Sequence, residues 1–307
     1  MMAESDVREG LIVKAQSGFF GVKTRHETIV ARLRGKLTKG KYESDAAAIG
    51  DRVTVRILDD GSAIIDDVHE RTRVLSRRAP GRRDIEQIIV ANPDQAVIVF
   101  ACADPDPNFR MLDRFLVVCE RESIPVIICA NKIDLVTRSS AREHFGLYKD
   151  IGYSVIYTSA VTRRGVRSLR RSLKRKVSVF AGPSGAGKSS LLNAIQPGLG
   201  LHTQEVQEGT GKGKHTTVVP ELIPLKVGGY VADTPGLKAL ALWDIEPEEL
   251  DAYFPEMRER VADCSFSDCT HMHEPGCAVV AAVERGEIAA ERYDSYVRIR
   301  LGEDREP

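Results

Sequence analysis

Through its first quarter the chain alternates apolar and polar residues with a period of two. LIVKAQ, GFFGVKT, ETIVARL, DRVTVRIL and SAIIDDV are each short, β-branched or alternating, and separated by Gly, Asp and Lys. Such runs predict five short strands. Five strands in so short a stretch suit a small barrel, with an OB-fold as the first choice and an SH3-like barrel as the rival. The arginine-rich RTRVLSRRAPGRR that follows, with its Pro-Gly, is expected to be an exposed connector.

From about residue 85 the pattern lengthens into alternating β and α segments. IIVANPDQAVIVFACA contains an apolar run typical of a strand buried on both faces, and IPVIICANKID is another. PNFRMLDRFLVVCERE carries apolar residues at helical spacing, and a basic helix starts at Val166. SVIYTSA and VSVFAGPSGAGKSSLLNAI continue the alternation. This order predicts a parallel sheet wrapped by helices, with ligands at the carboxyl ends of its strands. Beyond Gly236 the chain is acidic and helical, passes through a Cys/His knot and ends in a polar helix around ERYDSYVRIR. The expected division is a barrel over 1–75, an α/β nucleotide-binding domain over 76–240 and a helical domain over 241–307.

Composition adds little until it is made local. The 44 Lys and Arg balance the 44 Asp and Glu, so no global field draws the molecule to nucleic acid or membrane. The cations are nevertheless blocked: Arg71, Arg73, Arg77, Arg78, Arg82 and Arg83 form one run. Arg163, Arg164, Arg167, Arg170, Arg171, Lys174, Arg175 and Lys176 form another, offset by acids from Asp244 to Asp251. The opening MMAESDVREG has no apolar segment, so no secretory signal is expected, and no run approaches the ~18 residues of a membrane span. Cys102, Cys119 and Cys129 sit in apolar contexts and are expected to be buried thiols. With no disulfide framework in view, a cytoplasmic setting is expected.

Four motifs carry chemistry. Gly182-Pro183-Ser184-Gly185-Ala186-Gly187-Lys188-Ser189, followed by Ser190, is a full GxxxxGK[ST] phosphate loop between a strand and a helix. Its amides and helix N-terminus suit the β-phosphate, Lys188 the β- and γ-phosphates, and Ser189 a Mg²⁺ ion. Asn131-Lys132-Ile133-Asp134 follows a buried strand. Asp134 can accept from the N1–H and the exocyclic amine of guanine, Asn131 can pair with the other edge, and the Lys132 stem can lie along the base. Thr158-Ser159-Ala160 ends the next strand and resembles the short element whose backbone amide meets guanine O6. Asp233-Thr234-Pro235-Gly236 has the DxxG form that suits an Asp in the Mg²⁺ shell and a Gly amide on the γ-phosphate. The set reads as a GTP-binding hydrolase.

The order of these motifs is rotated: the base-reading NKID precedes the phosphate loop, and DTPG comes last. With a barrel in front and a Cys/His knot behind, the chain resembles the ribosome small subunit-dependent GTPase A (RsgA) family over nearly its whole length. That resemblance implies an OB-fold, a circularly permuted GTPase and a C-terminal zinc domain. It also implies action in late maturation of the small (30S) ribosomal subunit, with rRNA binding, subunit-stimulated GTP hydrolysis and no membrane. A monomer is expected.

Leu237 follows DTPG where many GTPases place a water-orienting Gln, and leucine cannot polarise water. Gly209 to Thr217 is similar to the family's switch I, which makes His215 the candidate for positioning water. Thr217, with Thr216 as the alternative, is then a Mg²⁺ ligand beside Ser189 and Asp233. Val218 departs from the family's pattern. Cys264, Cys269, His271 and Cys277 form a Cys₃His set suited to a closed tetrahedral Zn²⁺ site. His273 competes by proximity, and the resemblance favours His271. Two other functions fit the same residues: a GTPase with a non-ribosomal partner, and an RNA-binding module in which GTP is a conformational ligand. Phe19 and Phe20 fit either base stacking or barrel core.

Overall fold

A computed structural model describes residues 6–35, 45–78, 86–200, 220–233 and 245–303. His215, Thr216, Thr217, Thr234 to Gly236 and Leu237 lie outside these residues, as do Arg82 and Arg83.

The barrel follows from the period of two. Strands β1 (Asp6–Gln16), β2 (Phe19–Lys23), β3 (Thr28–Leu33), β4 (Arg52–Ile57) and β5 (Ala63–Val68) bury Ile12, Phe20, Val22, Ala31, Val53, Val55 and Ile65 inside. A bulge between Ile12 and Lys14 bends β1 so that its first half pairs with β4 and its second half with β2. With β3 parallel to β5, the closed order is β1-β2-β3-β5-β4-β1. That ring is the OB topology, and it settles the choice against an SH3-like barrel. It also separates the two aromatics: Phe20 is core, whereas Phe19 is 42% exposed with the Arg32 guanidinium 4.3 Å from its ring centre.

The arginine-rich connector differs from expectation. Val74–Arg78 is strand β6, paired antiparallel with β7 (Glu86–Ala91) in a separate two-stranded sheet, and Leu75 is buried. The apolar run that continues from β7 is likewise two strands. Asn92, at φ 50°, breaks it before β8 (Gln95–Ala101).

The α/β module orders β8, β9 (Val126–Asn131), β10 (Ser154–Tyr157), β11 (Val177–Ala181), β12 (Glu221–Pro224) and β13 (Tyr230–Asp233) as β10-β9-β8-β11-β13-β12. All pairs are parallel except β12–β13. Both faces are covered, and β8 shows how: Ile98 and Phe100 pack toward α1 (Phe109–Arg121) and α2 (Arg138–Ile151). Val97 and Val99 pack toward α3 (Val166–Ser172) and α4 (Lys188–Ile195). Asn108 caps α1 by accepting from the Met111 N–H at 3.0 Å, and Thr137 caps α2. Burial pushes the thiols of Cys119 and Cys129 up to about 12 and that of Cys102 to about 11, so all three are inert core residues.

β12 also pairs with β1, through Lys14↔Glu221, which joins barrel and α/β sheet into eleven continuous strands. At the other end α5 (Pro255–Arg258), α6 (Ala278–Glu284), α7 (Ala290–Leu301) and a 3₁₀ turn at Pro247–Tyr253 enclose Leu250, Phe254, Met257, Val279 and Tyr296. Val117 of α1 belongs to that same core, so the C-terminal helices are docked on the α/β module.

Candidate nucleotide and metal sites

The phosphate loop leaves the carboxyl end of β11 and turns directly into α4. Two of its glycines are required by space as well as by φ. A Cβ on Gly182 (φ 133°) would lie 2.1 Å from the Val99 carbonyl oxygen, and one on Gly187 (φ 87°) would lie 2.4 Å from Asn131 Nδ2. The loop therefore closes against β8 on one side and against the NKID strand on the other. Lys188 donates from Nζ to the carbonyls of Gly182 and Pro183, both at 2.7 Å, which holds its ammonium over the loop.

Asn131 ends β9 and is buried. Its amide donates to the Ala186 carbonyl of the phosphate loop at 2.8 Å and accepts from the Thr158 hydroxyl at 3.1 Å. One side chain thus ties together NKID, the phosphate loop and the 158–160 element, three segments far apart in sequence. Lys132, in the left-handed region at φ 60°, reaches the Asp104 carbonyl and comes within 3.7 Å of its carboxylate. Its stem spans from the base-reading loop to the β8–α1 loop. The Ile133 N–H donates to the Thr158 carbonyl, and Asp134 is exposed. Ser159 spends its N–H on the Arg164 carbonyl and its hydroxyl on the Thr162 N–H, which fixes the turn that presents Ala160. A cleft of about 280 Å³, walled by Ile133, Tyr157 and Arg164 among others, opens beside these loops.

β13 lies parallel to β11, Val179 opposite Ala232, so Asp233 emerges at the same sheet edge as the phosphate loop. Sequence reasoning put four motifs at four strand ends. NKID, the 158–160 element and the phosphate loop converge at one edge, and β13 delivers the first residue of the fourth to it.

The second site is in the C-terminal helices. One ligand atom from each of Cys264, Cys269, His271 and Cys277 lies within 4.8 Å of the others. A Zn²⁺ tetrahedron with Zn–S of ~2.3 Å and Zn–N of ~2.0 Å has edges of about 3.5–3.8 Å. His271 Nδ1 stands 3.6 Å from Cys264 Sγ and 3.4 Å from Cys277 Sγ, so the donor set fits a tetrahedral ion. The competitor His273 is exposed. The Cys277 thiol lies below its usual range: burial opposes ionisation, but the Val280 N–H and the His271 ring outweigh it.

Sequence reasoning missed the residues that hold this knot. Asp251 accepts from His271 Nε2 at 3.0 Å, which leaves Nδ1 as the ligating nitrogen. Glu274 accepts from the Thr270 hydroxyl and from the Thr270, Met272 and His273 amides and shapes the loop; the hydroxyl first, then the Thr270 and His273 amides, hold its carboxyl far below the usual range. Tyr293 and Tyr296 donate to the carbonyls of His271 and Thr270. In sequence Asp251 is one of several acids in a balancing stretch, with nothing to mark it.

Fold and site together define a P-loop GTPase in circularly permuted order. Residues 68–243 match the sequence family described as RsgA GTPase, and residues 9–65 that described as RsgA N-terminal domain. Over 294 residues the chain is 45% identical to the small ribosomal subunit biogenesis GTPase RsgA of Gemmatimonas aurantiaca, covering 95% of this chain and 96% of the relative. The like-named protein of Moorella thermoacetica is 43% identical over 292 residues, 94% of this chain and 95% of its own length. Among solved structures, YjeQ from Thermotoga maritima aligns at a TM-score of 0.81 with 36% identity, covering 98% of this chain and all of that one. YloQ, described as a circularly permuted GTPase, aligns at 0.78 with 37% identity, covering 100% of this chain and 99% of its own. The chain belongs to the RsgA family of circularly permuted GTPases and is a GTP hydrolase. Among the described residues no helix is long and apolar enough to cross a membrane.

Proposed function

We propose that this protein is a cytoplasmic, monomeric maturation factor of the small (30S) ribosomal subunit, which binds rRNA and hydrolyses GTP when the subunit engages it. Relatives named for small-subunit biogenesis, matched end to end, support the reading. The observation that carries it is the joint at β12. That strand lies between the segment containing His215 and the DTPG motif. Its Glu221 is the ladder partner of both Asp233 in β13 and Lys14 in β1. A partner that grips the barrel therefore pulls on the strand between the two γ-phosphate-sensing segments.

Within the site, Asp134 reads the guanine N1–H and amine, Lys132 covers the base and Ala160 donates to O6. Asn131, with its amide already committed to Ala186, braces the pocket and turns its remaining capacity to the base edge. Loop amides from 182 to 190 and Lys188 hold the β- and γ-phosphates. Ser189, Thr217 and Asp233 are the residues that would hold Mg²⁺, which neutralises charge between the β- and γ-phosphates when bound. His215 orients the attacking water in place of the glutamine that Leu237 replaces. The Cys₃His donor set suits Zn²⁺, held as a structural ion.

Cosedimentation with purified small subunits tests the partner. Retention with a non-hydrolysable GTP analogue and release with GDP is expected; equal retention on large subunits would count against it.

A further inference from the structure

The basic run at 163–176 is not absorbed by the nucleotide site. Its apolar residues Val166, Leu169 and Leu173 are buried in the core beneath the sheet. Arg167, Arg170, Arg171 and Lys174 fall at i, i+3, i+4 and i+7 on the opposite, exposed side of α3 and the turn after it. They line a shallow groove of about 350 Å³ with Val227 of the β12–β13 turn. Over 161–176 the chain has neither an acid nor an aromatic residue.

We infer that this ridge is a docking surface for the phosphate backbone of double-helical RNA, separate from the nucleotide site. Four cations on one stripe span about 10 Å of helix, and a duplex carries about one negative charge per 1.7 Å of its axis. Among the described residues none of the four meets a carboxylate at ion-pair distance, so no described carboxylate competes for them. The absence of aromatics removes base stacking and with it a preference for single strands. A membrane surface is disfavoured because the helix has already buried its apolar face and has nothing to insert. That the duplex is ribosomal rests on the proposed function; that the ridge binds duplex phosphates does not.

The test uses the full-length protein and a twenty-base-pair RNA hairpin. Binding is measured across a salt series for wild type, for R167Q/R170Q/R171Q/K174Q and for the charge-retaining R167K/R170K/R171K. The glutamine variant should lose about three to four units of the slope of log K against log salt, and the lysine variant should keep wild-type behaviour. GTP affinity should be equal in all three, which establishes that the variants fold. Equal slopes in wild type and the glutamine variant overturn the inference. So does a loss confined to anionic phosphatidylserine vesicles. Wild-type protein that binds the hairpin through the ridge yet is not stimulated by small subunits would retire the maturation reading and leave the ridge standing.

Discussion

Asp113→Ala removes a carboxylate from the seam between the GTPase module and the C-terminal helices. Asp113, on α1, is 2% exposed and accepts from Arg292 Nη1 at 2.7 Å and from the Tyr148 hydroxyl at 2.8 Å. Arg292, on α7, is 1% exposed; it also donates to Glu256 at 2.6 Å, and its guanidinium carbon lies 4.5 Å from the Phe254 ring centre. Burial raises the Asp113 pKa, and the Arg292 guanidinium is the main influence opposing that rise. Breaking a buried pair from one side leaves an undercompensated cation and costs about 3–5 kcal/mol. The Tyr148 hydroxyl loses its acceptor as well. A cost near 4 kcal/mol is roughly three decades in an equilibrium constant. The expected result is that α7 amides lose most of that protection in hydrogen exchange while GTP still binds. Arg292→Ala should cost a similar amount, and the double variant should cost at least about 2 kcal/mol less than the sum, because the two act as a unit. Additive costs, or a single substitution costing under about 1 kcal/mol, would show that the Asp113–Arg292 pair does not hold this seam.

Four further outcomes follow from the same geometry. Gly187→Ala forces a Cβ against Asn131 Nδ2 at a left-handed φ, and should abolish GTP binding in a fluorescent-nucleotide titration while the fold survives by circular dichroism. Asp134→Asn exchanges an acceptor for a donor and should shift preference from GTP toward xanthosine triphosphate, whose C2 carbonyl accepts; unchanged preference in competition binding would remove Asp134 from base reading. Asp251→Ala frees the His271 ring and should weaken Zn²⁺ retention about 10–100-fold against a chelator, with released metal read by a colorimetric dye. His215→Ala should keep GTP affinity and lose subunit-stimulated turnover; full stimulation would hand the water-positioning role to another group.

Much of the fold could be read because single residues carried strong local signals. Period-two runs marked the five barrel strands, and the phosphate loop declared itself by its strand-to-helix setting. What stayed hidden depended on contacts distant in sequence. The OB topology rests on β1 pairing with β4 and on β3 running parallel to β5, which no local pattern encodes. Leu75 was too little apolar signal among arginines to mark β6. α2 also escaped notice, because Ala141, Phe145 and Tyr148 supply its buried stripe amid polar residues. Phe19 and Phe20 were indistinguishable until register put one outside. His271 and His273 share a loop, and of the two only the His271 ring meets the cysteine sulfurs. Asn131 was legible as a base-reading residue, but its bond to Ala186 was not, since 55 residues separate them.

The central claim, a GTPase whose catalyst is completed by the small ribosomal subunit, is tested most directly by single-turnover GTP hydrolysis with and without purified small subunits. ATP and large subunits serve as controls. Slow intrinsic GTP turnover, acceleration by more than about tenfold with small subunits alone, and no hydrolysis of ATP under either condition are expected. Turnover of GTP that is unchanged by small subunits, or raised equally by large ones, would contradict it.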